Sequence, residues 1–118
     1  MGMKTCVGYV RYSVDVPHMI EKQKEILVER ASQLQLELLA IYCEVIGDTQ
    51  PIQDRSEMAK AIKYIEKANA DYLLVTNANR VTRSDLGVAF FEETILKPLG
   101  AKLLVCNEAN IIIERPIE

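Results

Sequence analysis

The sequence predicts an α/β domain built on a mostly parallel central sheet of four to five strands, with helices on both faces. Three observations carry this. Strand-like apolar runs alternate with stretches of helical apolar spacing about three times along the chain. Polar segments bearing Gly, Asp, Asn or Pro punctuate that alternation. A chain of 118 residues that is 49% apolar has room for one compact domain, and its core needs neither disulfide nor metal.

The elements follow in order. Lys4 to Tyr12 contains Cys-Val-Gly-Tyr-Val and reads as a first strand. Pro17 suits a first helical turn, and the helix it opens carries Ile20, Leu27, Ala31 and Leu34 on one side. Leu36 to Val45 is a second strand, and Gly47 to Arg55 a loop. Ser56 is the expected N-cap of a second helix with Met58, Ile62 and Ile65 on its apolar face. Asp71 to Thr76 is a short buried strand, and Asn77 to Thr82 a polar turn without Gly or Pro. A third helix starts about Ser84, carries Phe91, Ile95 and Leu99 at i, i+4 and i+8, and stops at Gly100. Of the adjacent Phe90 and Phe91, the core is expected to take both or to leave one for a partner. Ala101 to Cys106 is a fourth strand, and Ile111 to Ile113 a short edge strand.

Composition excludes several classes of function. The three cysteines, Cys6, Cys43 and Cys106, are widely spaced inside strand-like segments and read as small buried hydrophobes of a reducing compartment. They form no close ligand pairs of the kind zinc requires. No apolar run approaches bilayer length, and the N-terminus has no signal-peptide pattern, so a cytoplasmic protein without a membrane partner is expected. The five glycines are scattered, with neither G-x-G-x-x-G nor a Walker A loop, which argues against a nucleotide-binding domain. Net charge is −3 and the pI about 5.3, so any phosphate chemistry needs a local concentration of positive charge.

Arginines supply one. Of the six, Arg11, Arg55, Arg80 and Arg83 fall at the predicted carboxyl ends of strands or in the loops beyond them. Ligands of open α/β sheets bind at that edge. Arginine suits phosphate because its planar fork donates paired hydrogen bonds and keeps its proton. Arg11 and Ser13 are two apart on a strand end, which puts both on one face. Arg80 and Arg83 are three apart where a helix is about to begin, which sets them side by side. A serine hydroxyl is a weak nucleophile until a base or a positive field favours its alkoxide. His18, the single histidine, offers a base, although its place in a first helical turn reads as solvated.

Tyr9-Val10-Arg11-Tyr12-Ser13, Asp54-Arg55, and Asn79-Arg80-Val81-Thr82-Arg83 occur in this order along nearly the whole chain. Together they resemble the Y-x-R-x-S and D-R-x-x-R signatures of serine site-specific recombinases of the resolvase/invertase type, with Gln23 matching a glutamine of that family's first helix. The resemblance implies a three-layer α/β/α domain. It also implies a DNA strand transferase in which Ser13 attacks a phosphodiester to form a 5′-phosphoserine link. Arg11, Arg55, Arg80 and Arg83 would bind and polarise the scissile phosphate, with Tyr9, Gln23 and Asn79 in support. Neither cofactor nor metal is implied. The partners would be the phosphate backbone at a DNA crossover site and further copies of the chain, from a dimer to a synaptic tetramer in the full-length protein.

Two departures stand beside the resemblance. The family's acid before the first arginine of D-R-x-x-R is Asn79 here, and an amide can neither take a proton nor offset arginine charge. Residues 1–118 are expected to form a single catalytic domain without the long dimerisation helix or the DNA-binding domain that full members carry. The alternative expectation is an inactive resolvase-like module that works by oligomerising with, or regulating, an active recombinase.

Overall fold

Thr5–Tyr12 (β1) is the strand around which the other elements are arranged. It lies inside the sheet, so side chains on both its faces are covered: Val7 and Tyr9 on one, Cys6 and Val10 on the other. Burial on both faces is why β1 reads as a near-continuous apolar run rather than an alternating one. The structure, a computed structural model, describes residues 2–12, 17–47, 51–106 and 112–114.

The remaining elements are α1 (Pro17–Gln33), β2 (Glu37–Val45), α2 (Ser56–Ala68), β3 (Tyr72–Val75), α3 (Asp85–Phe91), β4 (Lys102–Cys106) and β5 (Ile112–Glu114). Short 3₁₀ turns at Ile52–Asp54 and Ala78–Arg80 precede α2 and α3. The sheet order is β2-β1-β3-β4-β5. The first four strands are parallel, and β5 pairs antiparallel with β4 at the edge. The expected sheet and its helices are therefore present.

Each face has its own core. On one, Leu27 and Ala31 of α1 pack on Cys6, Val10, Leu74 and Leu104, with Ile20 and Leu34 at the margin. Gly8 lets α1 approach: a Cβ there would lie 2.9 Å from Leu27 Cδ1. On the other face, Met58, Ala61 and Ile65 of α2 and Val88 and Phe91 of α3 cover Val7, Tyr9, Leu73 and Leu103. Phe91 is the core member of the Phe pair, while Phe90 is 69% exposed.

Between β1 and β2 the register slips by one residue: Cys6 faces Leu38, but Val7 faces Ala40. Leu39 is thus the extra residue of a β-bulge.

All three helices end on a left-handed residue: Gln35 after α1, Asn69 after α2, and Gly100 at the end of the third helical segment. At each end a later amide reaches back into the helix, as Leu36 N does to Ala31 O at 2.8 Å and Ala101 N to Leu96 O at 3.0 Å. The third helix starts where expected: Ser84 is the N-cap of α3, its Oγ accepting from Gly87 N at 3.1 Å. Beyond Phe91 the helix widens into a π-turn, Glu92–Leu96, and then tightens into a 3₁₀ turn, Lys97–Leu99. The i, i+4, i+8 row of the sequence is therefore one regular helix only as far as Phe91.

Cys6 and Cys106 are fully buried and Cys43 half-buried, all as free thiols. Burial, with the Cys106 thiol as a smaller cause, pushes Cys6 up to about 12 from an ordinary 9.0. Burial, partly offset by Arg30, pushes Cys106 up to about 11. The folded state holds these protons more tightly than the unfolded chain, so their contribution is intact below pH 9 and is lost as pH rises towards 11–12. The slope is at most about 1.4 kcal/mol per pH unit for each thiol. Urea unfolding at pH 8 and pH 10 should show lower stability at pH 10, and equal stability would refute this. No helix among the described residues is long and apolar enough to cross a membrane.

Candidate functional site

The chain runs from β1 through α1 to β2 on one side of β1, then returns through α2 to β3 on the other. The carboxyl ends of β1 and β3 therefore flank a topological switch point, where connecting loops diverge and leave a crevice. The expected loops all belong to this edge. Ser13 follows Tyr12, the last residue of β1, and itself lies outside the described residues.

Arg11, the penultimate residue of β1, is 5% exposed. Its Nε donates to Arg80 O at 2.9 Å, its Nη2 to Asn79 O at 2.7 Å, and its Nη1 to Ile46 O at 3.0 Å. One guanidinium thus ties the end of β1 to the loops after β2 and β3. Arg55, 1% exposed at the start of α2, reaches the same 3₁₀ turn: its Nη1 donates to Val81 O at 2.6 Å and to Arg80 O at 3.2 Å. Arg80 answers with Nη1 to Arg11 O at 3.2 Å, and its guanidinium carbon lies 4.7 Å from the centroid of the Tyr12 ring. Three arginines from three separate elements therefore meet at the turn Asn79–Val81.

Glu44 of β2 is the buried negative group beside them. Its Oε1 accepts the Tyr9 hydroxyl at 2.7 Å and Met58 N at 3.3 Å, and its Oε2 accepts Glu57 N at 2.9 Å. A carboxylate from a strand thus satisfies the first-turn amides of α2 and complements the positive end of that helix. This corrects the expectation for Ser56, which is the first helical residue; Arg55 holds the N-cap position and makes no side-chain cap bond. Burial and the Glu44 bond push the Tyr9 phenol well above its ordinary range, with Arg55 pulling the other way. Tyr9 is therefore a neutral donor.

Gln23 is buried on the opposite face of the sheet, where its Oε1 accepts Thr76 Oγ1 at 3.4 Å. His18 is exposed in the first turn of α1. Arg83 is exposed. It precedes α3 rather than lying in it, so the helical i, i+3 spacing expected for Arg80 and Arg83 does not apply. Asn79 is exposed, and it is its backbone carbonyl that Arg11 uses. The site thus brings Tyr9, Arg11, Arg55, Asn79 and Arg80 together and sets Gln23 apart. Sequence reasoning missed Glu44; its signal is a lone acid near the carboxyl end of the otherwise apolar run Leu38–Cys43. Among the described residues, no cluster of His, Cys, Asp or Glu is arranged to hold a metal.

Comparisons with known proteins agree with this architecture. Residues 6–117 match the family model described as "Resolvase, N terminal domain". The chain is similar in structure to the C-terminal catalytic domain of ISC1926 TnpA, an IS607-like serine recombinase: TM-score 0.76, 24% identity, 86% of this chain and 67% of that one. It is also similar to the N-terminal catalytic domain of TP901-1 integrase: TM-score 0.76, 19% identity, 92% and 81% covered. A resolvase-family site-specific recombinase from Streptococcus pneumoniae is a third: TM-score 0.73, 18% identity, 92% and 75% covered. At these identities the likeness is one of fold. Among curated protein sequences no match is found.

Proposed function

The chain belongs to the resolvase N-terminal domain family, the catalytic domain of serine recombinases, and from that membership we propose that it cuts and rejoins DNA through Ser13. The Ser13 Oγ attacks a backbone phosphorus. The Oγ–P bond forms, the P–O3′ bond breaks, the serine proton leaves, and the released 3′ oxygen takes up a proton. Rejoining is the reverse attack by a 3′-hydroxyl. The number of phosphoester bonds is unchanged, so no nucleotide cofactor is consumed.

The observation that carries this reading is the convergence of Arg11, Arg55 and Arg80 on one turn beside the end of β1. A phosphorane gathers negative charge, and fixed donors stabilise it without reorganising; losing one such donor costs ~3–4 kcal/mol in comparable sites. Arg11 and Arg55 give donors to backbone carbonyls, so we assign them the fixed positive field and the shape of the turn. Arg80 and Arg83 are assigned the direct phosphate contacts, with Tyr9 as a supporting group; Gln23, on the other face of the sheet, is assigned no contact with the phosphate. The DNA backbone is the partner of this site, and the strand exchange it serves needs several copies of the chain, from dimer to synaptic tetramer.

Asn79 favours a second reading, in which the domain lacks the acid needed for efficient cleavage and acts by assembling with an active relative. One experiment separates the two. The natural protein is incubated with a duplex nicked near its crossover, and covalent adduct is followed by gel and by peptide mapping. A phosphopeptide at Ser13, absent from Ser13→Ala, is expected. Adduct from Asn79→Asp alone would select the second reading, and adduct from neither would reject the recombinase reading.

A further inference from the structure

We propose that Tyr12 is a positioning residue whose ring holds the Arg80 guanidinium in the orientation in which it meets a phosphate, an inference that rests on the reading above. Tyr12 ends β1, and its own carbonyl is fixed by Ile46 N at 2.9 Å. Its ring lies under the Arg80 guanidinium carbon at 4.7 Å, inside the roughly 6 Å reach of a cation–π contact. One edge of the same guanidinium is tied by Nη1 to Arg11 O at 3.2 Å. Arg80 is therefore fixed at two points, one on an edge and one on a face.

The choice of an aromatic partner has a chemical consequence. A carboxylate would also orient Arg80, but it would cancel the charge that a phosphate needs. Among the described residues no carboxylate pairs with Arg80, and its buried Nε has no hydrogen-bond acceptor. The ring orients the cation and leaves its charge intact. It also limits the conformers of a long side chain before DNA arrives, so less freedom is lost on binding. The phenol oxygen plays no part in this, because the attraction comes from the ring face.

The test is a double-mutant cycle between Tyr12 and Arg80, read as the rate of Ser13 adduct formation on the nicked duplex by the natural protein. Tyr12→Leu should slow the reaction about tenfold, Tyr12→Phe should stay within about twofold, and Tyr12→Trp should match the wild type. In an Arg80→Gln background Tyr12→Leu should cost almost nothing, which makes the coupling ~1.4 kcal/mol. The Arg80 Nε–H proton resonance gives an independent geometric readout. Its ring-current shift should survive Tyr12→Phe and vanish in Tyr12→Leu. Equal rates for Leu and Phe, or the same cost of Tyr12→Leu with and without Arg80, overturns the proposal. If the wild type forms no adduct, the recombinase reading fails. The same cycle is then read on low-salt affinity for a labelled duplex, where absent coupling overturns the role of Tyr12 separately.

Discussion

Replacing Arg55 by methionine is expected to destabilise the domain by about 3–5 kcal/mol, and so to lower its unfolding temperature by roughly 10–20 °C. Methionine fills much of the same volume, so the loss is not one of packing. Arg55 is 1% exposed, and its Nη1 serves Val81 O at 2.6 Å and Arg80 O at 3.2 Å. Without it Val81, itself fully buried, keeps a carbonyl from which water is excluded, and such a group costs about 1–3 kcal/mol. Glu44 is then left with less positive charge nearby. Arg55→Lys keeps the charge but replaces a planar fork with a single ammonium, so it should fall between the two. Calorimetry on the three proteins decides the matter; a methionine variant that melts with the wild type would show that the turn does not depend on Arg55.

Glu44→Ala should have a comparable effect, about 2–4 kcal/mol, by a different route. Helix α2 loses the acceptor for Glu57 N and Met58 N, a capping loss of ~1 kcal/mol. The Tyr9 hydroxyl, buried with its side chain, loses its 2.7 Å acceptor, which adds about 1–3 kcal/mol. Glu44→Gln should cost less, since its amide oxygen can still accept one of these donors. Hydrogen exchange localises the effect: the Glu57 and Met58 amides should lose protection in Glu44→Ala before the amides of β3 do. Uniform loss across the domain would mean that Glu44 acts through general packing instead. The costs of the two variants should not add, because Arg55 and Glu44 both neighbour the Tyr9 hydroxyl.

The sheet, its mostly parallel sense and its two helical faces were legible because burial imposes a period, and a period survives in the residues. Leu27, Ala31, Met58 and Ile65 all lie where their spacing puts them. Local chemistry was equally plain at Ser84 and Gly100, where one residue type does one job. Gln35 and Asn69 were harder, since neither has the freedom of glycine that advertises a left-handed helix end. What the sequence could not convey was which partner a charged group takes. Arg11 and Arg55 announced a phosphate site by type and place, yet both also hold backbone carbonyls, a use that depends on loops some 25–70 residues away. Ser56 misled for the same reason: the carboxylate that caps its helix comes from another strand. Arg80 and Arg83 misled because the spacing of three belongs to a turn and not to the helix that follows it.

The bulge at Leu39 sets the parity of everything after it. Leu39 and Tyr42, three apart, both face α2, and Leu38 and Ile41 both face α1; regular alternation would send the members of each pair to opposite sides. Because of that one extra residue Glu44 is paired with Arg11 and shares its face, within reach of Tyr9 and the start of α2. Close the bulge without removing a residue, with Leu38 still opposite Cys6, and Glu44 would fall opposite Tyr12 and emerge under α1. One unpaired residue in β2 thus decides which helix the acid serves.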